Sequence, residues 1–173
     1  MIDLLHPSNV TAAVKIGIGA TIVVDVWTVL LKYVFKIPSL SYCLVGRWFL
    51  HMPAGQFAHA GIAAAPQKPL ECAVGWIAHY AIGVVFALAF VSLAPDGWLA
   101  RPTLWPALLF GIVTVLFPFL VMQPAFGLGV AASRAPKPGA ARLKSVTTHL
   151  VFGFGLFAWA AAIRCMGDRV WTS

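Results

Sequence analysis

Four long apolar stretches constrain this chain more than any motif in it. They run from about Thr11 to Leu31, Cys72 to Leu93, Thr103 to Met122 and Val146 to Ile163, each close to the ~20 residues that a helix needs to cross the hydrocarbon of a bilayer. A segment in lipid finds no water for its N–H and C=O groups and must satisfy them internally, and four segments are too few to close a barrel. The fold class that follows is all-α: a single polytopic membrane domain over residues 1–173, with about four transmembrane helices in a small bundle. Composition agrees. Of the 173 residues 61% are hydrophobic and 10% charged, more apolar surface than a soluble core of this length hides. Trp27, Trp76, Trp98, Trp105 and Trp171 fall near segment ends, where an interfacial aromatic belt would place them, whereas Trp159 fits that belt less well.

The first segment is expected to be a retained helix. Met1-Ile-Asp-Leu-Leu-His6 offers no basic region ahead of the segment, and no A-x-A site follows the apolar run. Cys43, Cys72 and Cys165 show neither C-x-x-C nor metal-site spacing. Their odd number argues against a disulfide framework, so no cysteine chemistry is expected.

Orientation follows from the basic residues, because loops rich in Lys and Arg stay in the cytoplasm. Lys32, Lys36, Arg47 and Lys68 lie after the first segment, and Arg134, Lys137, Arg142 and Lys144 after the third. The opposite side has Lys15, Arg101, Arg164 and Arg169. Both termini are therefore expected to face the periplasm. The net charge of +7 is a topology signal: without a basic stripe on a soluble face, it supports no nucleic-acid partner. The partner implied is the lipid bilayer.

The first connection is long. Within it, residues 39–52 are too short and too charged to span and suit an interfacial helix, with Arg47 and Trp48 at headgroup level and Pro53 ending it. The small-residue stretch after it, Ala54 to Pro69, suits a loop or short helix under the bundle.

Positions four apart share one helix face. The first segment reads Ala13, Gly17, Thr21, Asp25; the second Glu71, Gly75, His79, Gly83, Ala87; the fourth Ser145, His149, Gly153; and the third supplies Gly111 and, later, Gln123. Small residues let helices approach closely, so these rows are the expected contacts. Asp25 lies six residues before Leu31 and His79 seven after Cys72, which puts both at one depth near the cytoplasmic side. An Asp near a span centre costs ~2.5 to 3.5 kcal/mol and calls for a partner. The expected cluster is Asp25, His79 and His149, supported by Gln123, Thr147 and Thr148.

Such a cluster has three readings. It is hydrogen-bonded glue between helices, a relay for protons or ions, or a metal or haem site with Asp25, His79 and His149 as ligands and His51 and His59 as secondary candidates. No P-loop, H-E-x-x-H, C-x-x-C-H or G-x-S-x-G motif occurs to name a reaction or a cofactor. The outer halves of the four helices look dry, which favours a one-sided pocket over a channel; a homo-oligomer could supply the other half of a path. The leading reading is a polar pocket for ion or proton handling. The alternatives are a metal- or haem-binding redox subunit and a ligand-free accessory protein. His79-x-x-x-Gly83 and His149-x-x-x-Gly153 hint at an internal repeat of two hairpins.

Four short stretches also carry a family resemblance. Ile37-Pro-Ser-Leu-Ser-Tyr42, Val45-Gly-Arg-Trp48, Met122-Gln-Pro-Ala-Phe-Gly-Leu-Gly129 and Ala132-Ser-Arg-Ala-Pro-Lys-Pro138, in this order, resemble the bacterial integral-membrane family known as domain of unknown function 2938. The resemblance covers nearly the whole chain. It implies a bacterial cytoplasmic-membrane protein of about this size and brings no activity or site residue with it.

Overall fold

The computed structural model describes residues 7–38 and 40–170, with side chains for 8–38 and 40–166. The expectations for Met1 to His6, Ser39, the Arg169 side chain and Trp171 lie outside those residues. Among the described residues the chain has helices and turns and no strand, and four helices are long and apolar enough to cross a membrane: Ser8–Tyr33, Glu71–Leu93, Leu104–Ala125 and Pro138–Met166.

Helix α1 is Pro7–Tyr33. Beyond it Lys36 has a φ of 57°, and the Ile37-Pro38 pair, which disfavours helical geometry, holds the chain off the helix. A short helix α2, Tyr42–His51, leads into a 3-10 turn at Met52–Ala54 that closes on Gly55 in the left-handed region. Helix α3 is Glu71–Leu93, with Glu71 in its first turn favoured by the dipole and Pro95 beyond its end. The third span is built in pieces, α4 at Leu104–Thr114, a π turn at Pro118–Met122 and α5 at Gln123–Ala125. Pro118 lacks the N–H that a regular helix needs there, and the wider turn absorbs the loss. Helix α6, Pro138–Val170, starts eight residues before the expected Val146. Hydropathy marks only its apolar part, whereas Pro138 suits a first helical position and Gly-Ala-Ala-Arg-Leu-Lys extends the helix ahead of that part.

The small-residue rows are where the helices meet. A Cβ added to Gly17 would lie 2.7 Å from the Val84 Cα of α3, and one added to Gly155 of α6 would lie 2.8 Å from the Ala20 Cα of α1. Gly111 and Gly153 bring α4 and α6 together in the same way, an added Cβ on Gly111 falling 2.9 Å from the Gly153 Cα. Such approaches replace the hydrophobic drive that lipid cannot supply between helices. Beyond these contacts, toward the α3–α4 connection, lies a dry core of Phe90, Val91, Trp98, Phe152 and Leu156. Trp98 belongs to that core, not to an interfacial belt: it is 2% exposed and its indole N–H donates to the Thr103 carbonyl at 3.0 Å. Trp159 lies over Gly19, which explains an indole at mid-span.

Helix α2 also departs from expectation. Arg47 and Trp48 are buried, not spread at headgroup level. Gly46 lies against the first turn of α3, where an added Cβ would come within 2.6 Å of the Gly75 nitrogen. The Arg47 guanidinium pairs with both Glu71 carboxylate oxygens at 2.8 and 2.9 Å and also donates to the Ile62, Ala63 and Ala65 carbonyls. Trp48 donates to the Phe57 carbonyl at 2.8 Å and packs edge-on against Phe126. The first and second long connections therefore form one layer under the bundle. The His59 N–H donates to the Ala125 carbonyl and the Ile62 N–H to that of Phe126.

Candidate functional site

Two of the expected polar residues meet directly. His79 Nε2 lies 3.0 Å from Asp25 Oδ1, and the Tyr80 hydroxyl donates to Asp25 Oδ2 at 2.8 Å. Both oxygens of the carboxylate are thereby engaged, which is how a partly buried charge within a span is held. Tyr42 stacks on the far face of this arrangement, its ring 4.0 Å from that of His79. Burial, with the Asp25 charge adding to it, pushes the Tyr42 phenol above its ordinary value, so it stays protonated.

His149 finds a different partner. Its Nδ1 sits 2.8 Å from the Thr114 hydroxyl, which also donates to the Gly111 carbonyl at 2.6 Å. Gln123 donates to the Ser145 hydroxyl at 3.1 Å, and its carbonyl oxygen is buried without a partner among the described residues. Thr147 turns back to the Leu143 and Lys144 carbonyls of its own helix. The expected single cluster is thus two sites, Asp25–His79 between α1 and α3, and Thr114–His149 between α4 and α6.

A cavity of about 210 Å³ joins them. His79 and His149 both line it, with Thr28, Thr148 and Ser145 among its polar walls and Val24, Ile82, Phe86, Phe117 and Phe152 among its apolar ones. Each histidine uses one nitrogen on its helix partner, and neither His79 Nδ1 nor His149 Nε2 has a hydrogen-bond partner among the described residues. Leu40, Tyr42 and Lys144 line it at the end nearer the basic connections. Lys144 donates to the Pro38 carbonyl. At the other end Phe86 meets Phe117 and Phe152 edge-on, each at 6.1 Å, and the dry core lies beyond.

A model of the family described as Protein of unknown function (DUF2938) matches residues 14–163. The chain belongs to that family. No curated protein and no solved structure matches it. The DUF2938 match reaches into all four spans and takes in every residue that lines the cavity. Two of the stretches that carry the resemblance lie together in the structure: Val45 to Trp48 and Met122 to Gly129 belong to the layer that closes the bundle below.

The secondary candidates lie in that layer and outside the cavity. His51 contacts Gln56 Oε1 at 2.7 Å and the Pro66 carbonyl at 3.0 Å, and the His59 ring stands edge-on to it at 5.0 Å. Both ring nitrogens of His59 are buried without a partner among the described residues. Among the described residues no three His, Cys, Asp or Glu side chains gather as a metal centre needs.

The expectation of no cysteine chemistry is overturned. Cys43 of α2 and Cys72 of α3 are joined as a disulfide. A sequence separation of 29 residues hides that pairing from any spacing rule, because only the packing of α2 on the first turn of α3 brings the two together. Sequence reasoning also missed Tyr42, Tyr80 and Thr114. Thr114 had a signal, since it lies one turn after Gly111 on the face that meets α6.

Proposed function

We propose that this protein sits in a bacterial cytoplasmic membrane with its basic connections inward. Its cavity takes up a small, largely apolar weak acid or base from that side and exchanges a proton with it at the Asp25–His79 pair. The observation that carries the reading is the double role of His79, which bonds Asp25 through Nε2 and lines the cavity with the rest of its ring. A carboxylate behind an imidazole fixes its tautomer and stabilises its cation, so the ring can accept or give a proton at its other nitrogen. The apolar walls choose a solute without fixed charge. The Phe86, Phe117 and Phe152 floor and the dry core support uptake from one side and not conduction across.

The test is site-directed labelling in oriented vesicles. Thr148→Cys, made with Cys43, Cys72 and Cys165 replaced by Ser, is treated with a cationic and a neutral methanethiosulfonate reagent from either side. Labelling is expected only from the side of the basic connections. The ratio of cationic to neutral rates should fall by roughly tenfold in Asp25→Asn, the weight of one charge at about 10 Å in a medium of intermediate dielectric. Equal labelling from both sides would make the cavity a channel. An unchanged ratio would remove Asp25 from it.

A further inference from the structure

We propose that Cys43 and Cys72 are a reversible redox site, opened by dithiol reductants and closed by disulfide oxidants, and that its state sets the lip of the cavity. The inference rests on the inward orientation proposed above for the basic connections and does not need the pocket's ligand. The disulfide lies where α2 meets the first turn of α3, in the same layer as Lys68, Lys137 and Arg142 and next to the Lys32 end of α1. The other end of the bundle offers Arg101 and Arg164, which donates to the Ala100 carbonyl, against Asp96. This imbalance places the pair in the cytoplasm, where thiol reductants keep exposed disulfides open and those that do form are transient or sensory. Cys72 is exposed, so a reductant's thiolate can reach it.

The fold does not depend on the bond. The same two helices are clamped by the two-pronged Arg47–Glu71 pair and by the close packing of Gly46 and Gly75. What reduction releases is the start of α2. Tyr42, the residue before Cys43, stacks on His79 and lines the cavity with Leu40. On opening, an electron pair and two protons pass from the dithiol to the Cys43–Cys72 bond, leaving two thiols here and a disulfide on the reductant. A disulfide oxidant such as oxidised glutathione runs the exchange backwards.

Thiol trapping in cells tests this on the Cys165→Ser variant. Acid-quenched cells are treated with a polyethylene glycol maleimide that adds a countable mass per thiol. Two additions are expected in untreated cells, none after diamide, and two again after dithiothreitol. A disulfide already complete in untreated cells and resistant to dithiothreitol in native membranes would overturn the proposal, as would two thiols that diamide leaves unchanged. The link to the lip has its own readout. Deuterium uptake over residues 40–46 should rise severalfold on reduction of the purified protein while that of α4 stays constant, and equal uptake in the two states would sever it. Cys43→Ser should match the reduced wild type in this assay.

Discussion

Arg47 shows how far one residue's meaning depends on its partners. Its place in a short charged stretch suggests a headgroup contact, yet its charge is spent inside the protein, on Glu71 and on three carbonyls of the following loop. Nothing near Arg47 in the sequence announces this, since Glu71 lies 24 residues away. Removing one member of such a pair strands the other and the carbonyls with it. Arg47→Ala is therefore expected to lower the thermal midpoint in detergent by about 5 °C or more. Arg47→Lys should restore little, because an ammonium cannot fork to a carboxylate and reach three carbonyls at once. A midpoint unchanged in Arg47→Ala would show the layer under the bundle to be held by its other contacts, the Trp48–Phe126 packing and the Cys43–Cys72 bond among them.

Asp25 and His79 were legible as a pair, because a polar residue at a known depth on a span must find another at the same depth. Depth does not identify lateral neighbours, which is why it groups His149 with them while the His149 bond goes to Thr114. A double-mutant cycle with Asp25→Asn and His79→Gln should return a coupling of about 1 kcal/mol by equilibrium unfolding in mixed micelles, within the range of polar contacts between membrane helices. The same cycle on Asp25 and His149 should return nothing measurable.

At the scale of elements, the spans were readable because hydropathy reports what lipid demands of each segment by itself. Helix α2 was readable as a helix and misread in its surroundings, because burial against α3 depends on a surface formed by distant residues. The glycine rows were also readable, and they predict where size is not tolerated. Gly153→Ala should destabilise by ~1 to 3 kcal/mol, since its Cβ would sit 2.5 Å from the Ala107 carbonyl oxygen. Gly139→Ala, also helical and with nothing within 4 Å of its Cβ, should be stabilising by ~0.5 to 1 kcal/mol. Thermal unfolding of the two variants side by side separates a packing cost from a helix-propensity gain, and a shared sign would refute the contact.

For the whole molecule, the repeat is more extensive than two histidine motifs. A spacing of 70 residues relates Met52 to Met122, Ala65-Pro66 to Ala135-Pro136, His79 to His149 and Gly83 to Gly153, and each half carries a 3-10 turn ahead of its second long helix. α1 meets α3 at Gly17 and Gly83 much as α4 meets α6 at Gly111 and Gly153. The halves then diverge in chemistry: a carboxylate holds the first histidine and a hydroxyl the second, and only the first half has a disulfide. Both connections that precede the second helix of a half are basic and lie in one layer, so topology, repeat and redox site make a single claim about sidedness. In a background with Cys43, Cys72 and Cys165 replaced by Ser, Gln67→Cys and Lys137→Cys should resist a membrane-impermeant maleimide in intact cells and label fully in inverted vesicles, while Ala100→Cys should do the reverse. If residues 67 and 137 label from outside, the charge rule has been outweighed in this chain, the disulfide faces an oxidising compartment and becomes a permanent staple of α2 on α3, and the cavity opens to the periplasm.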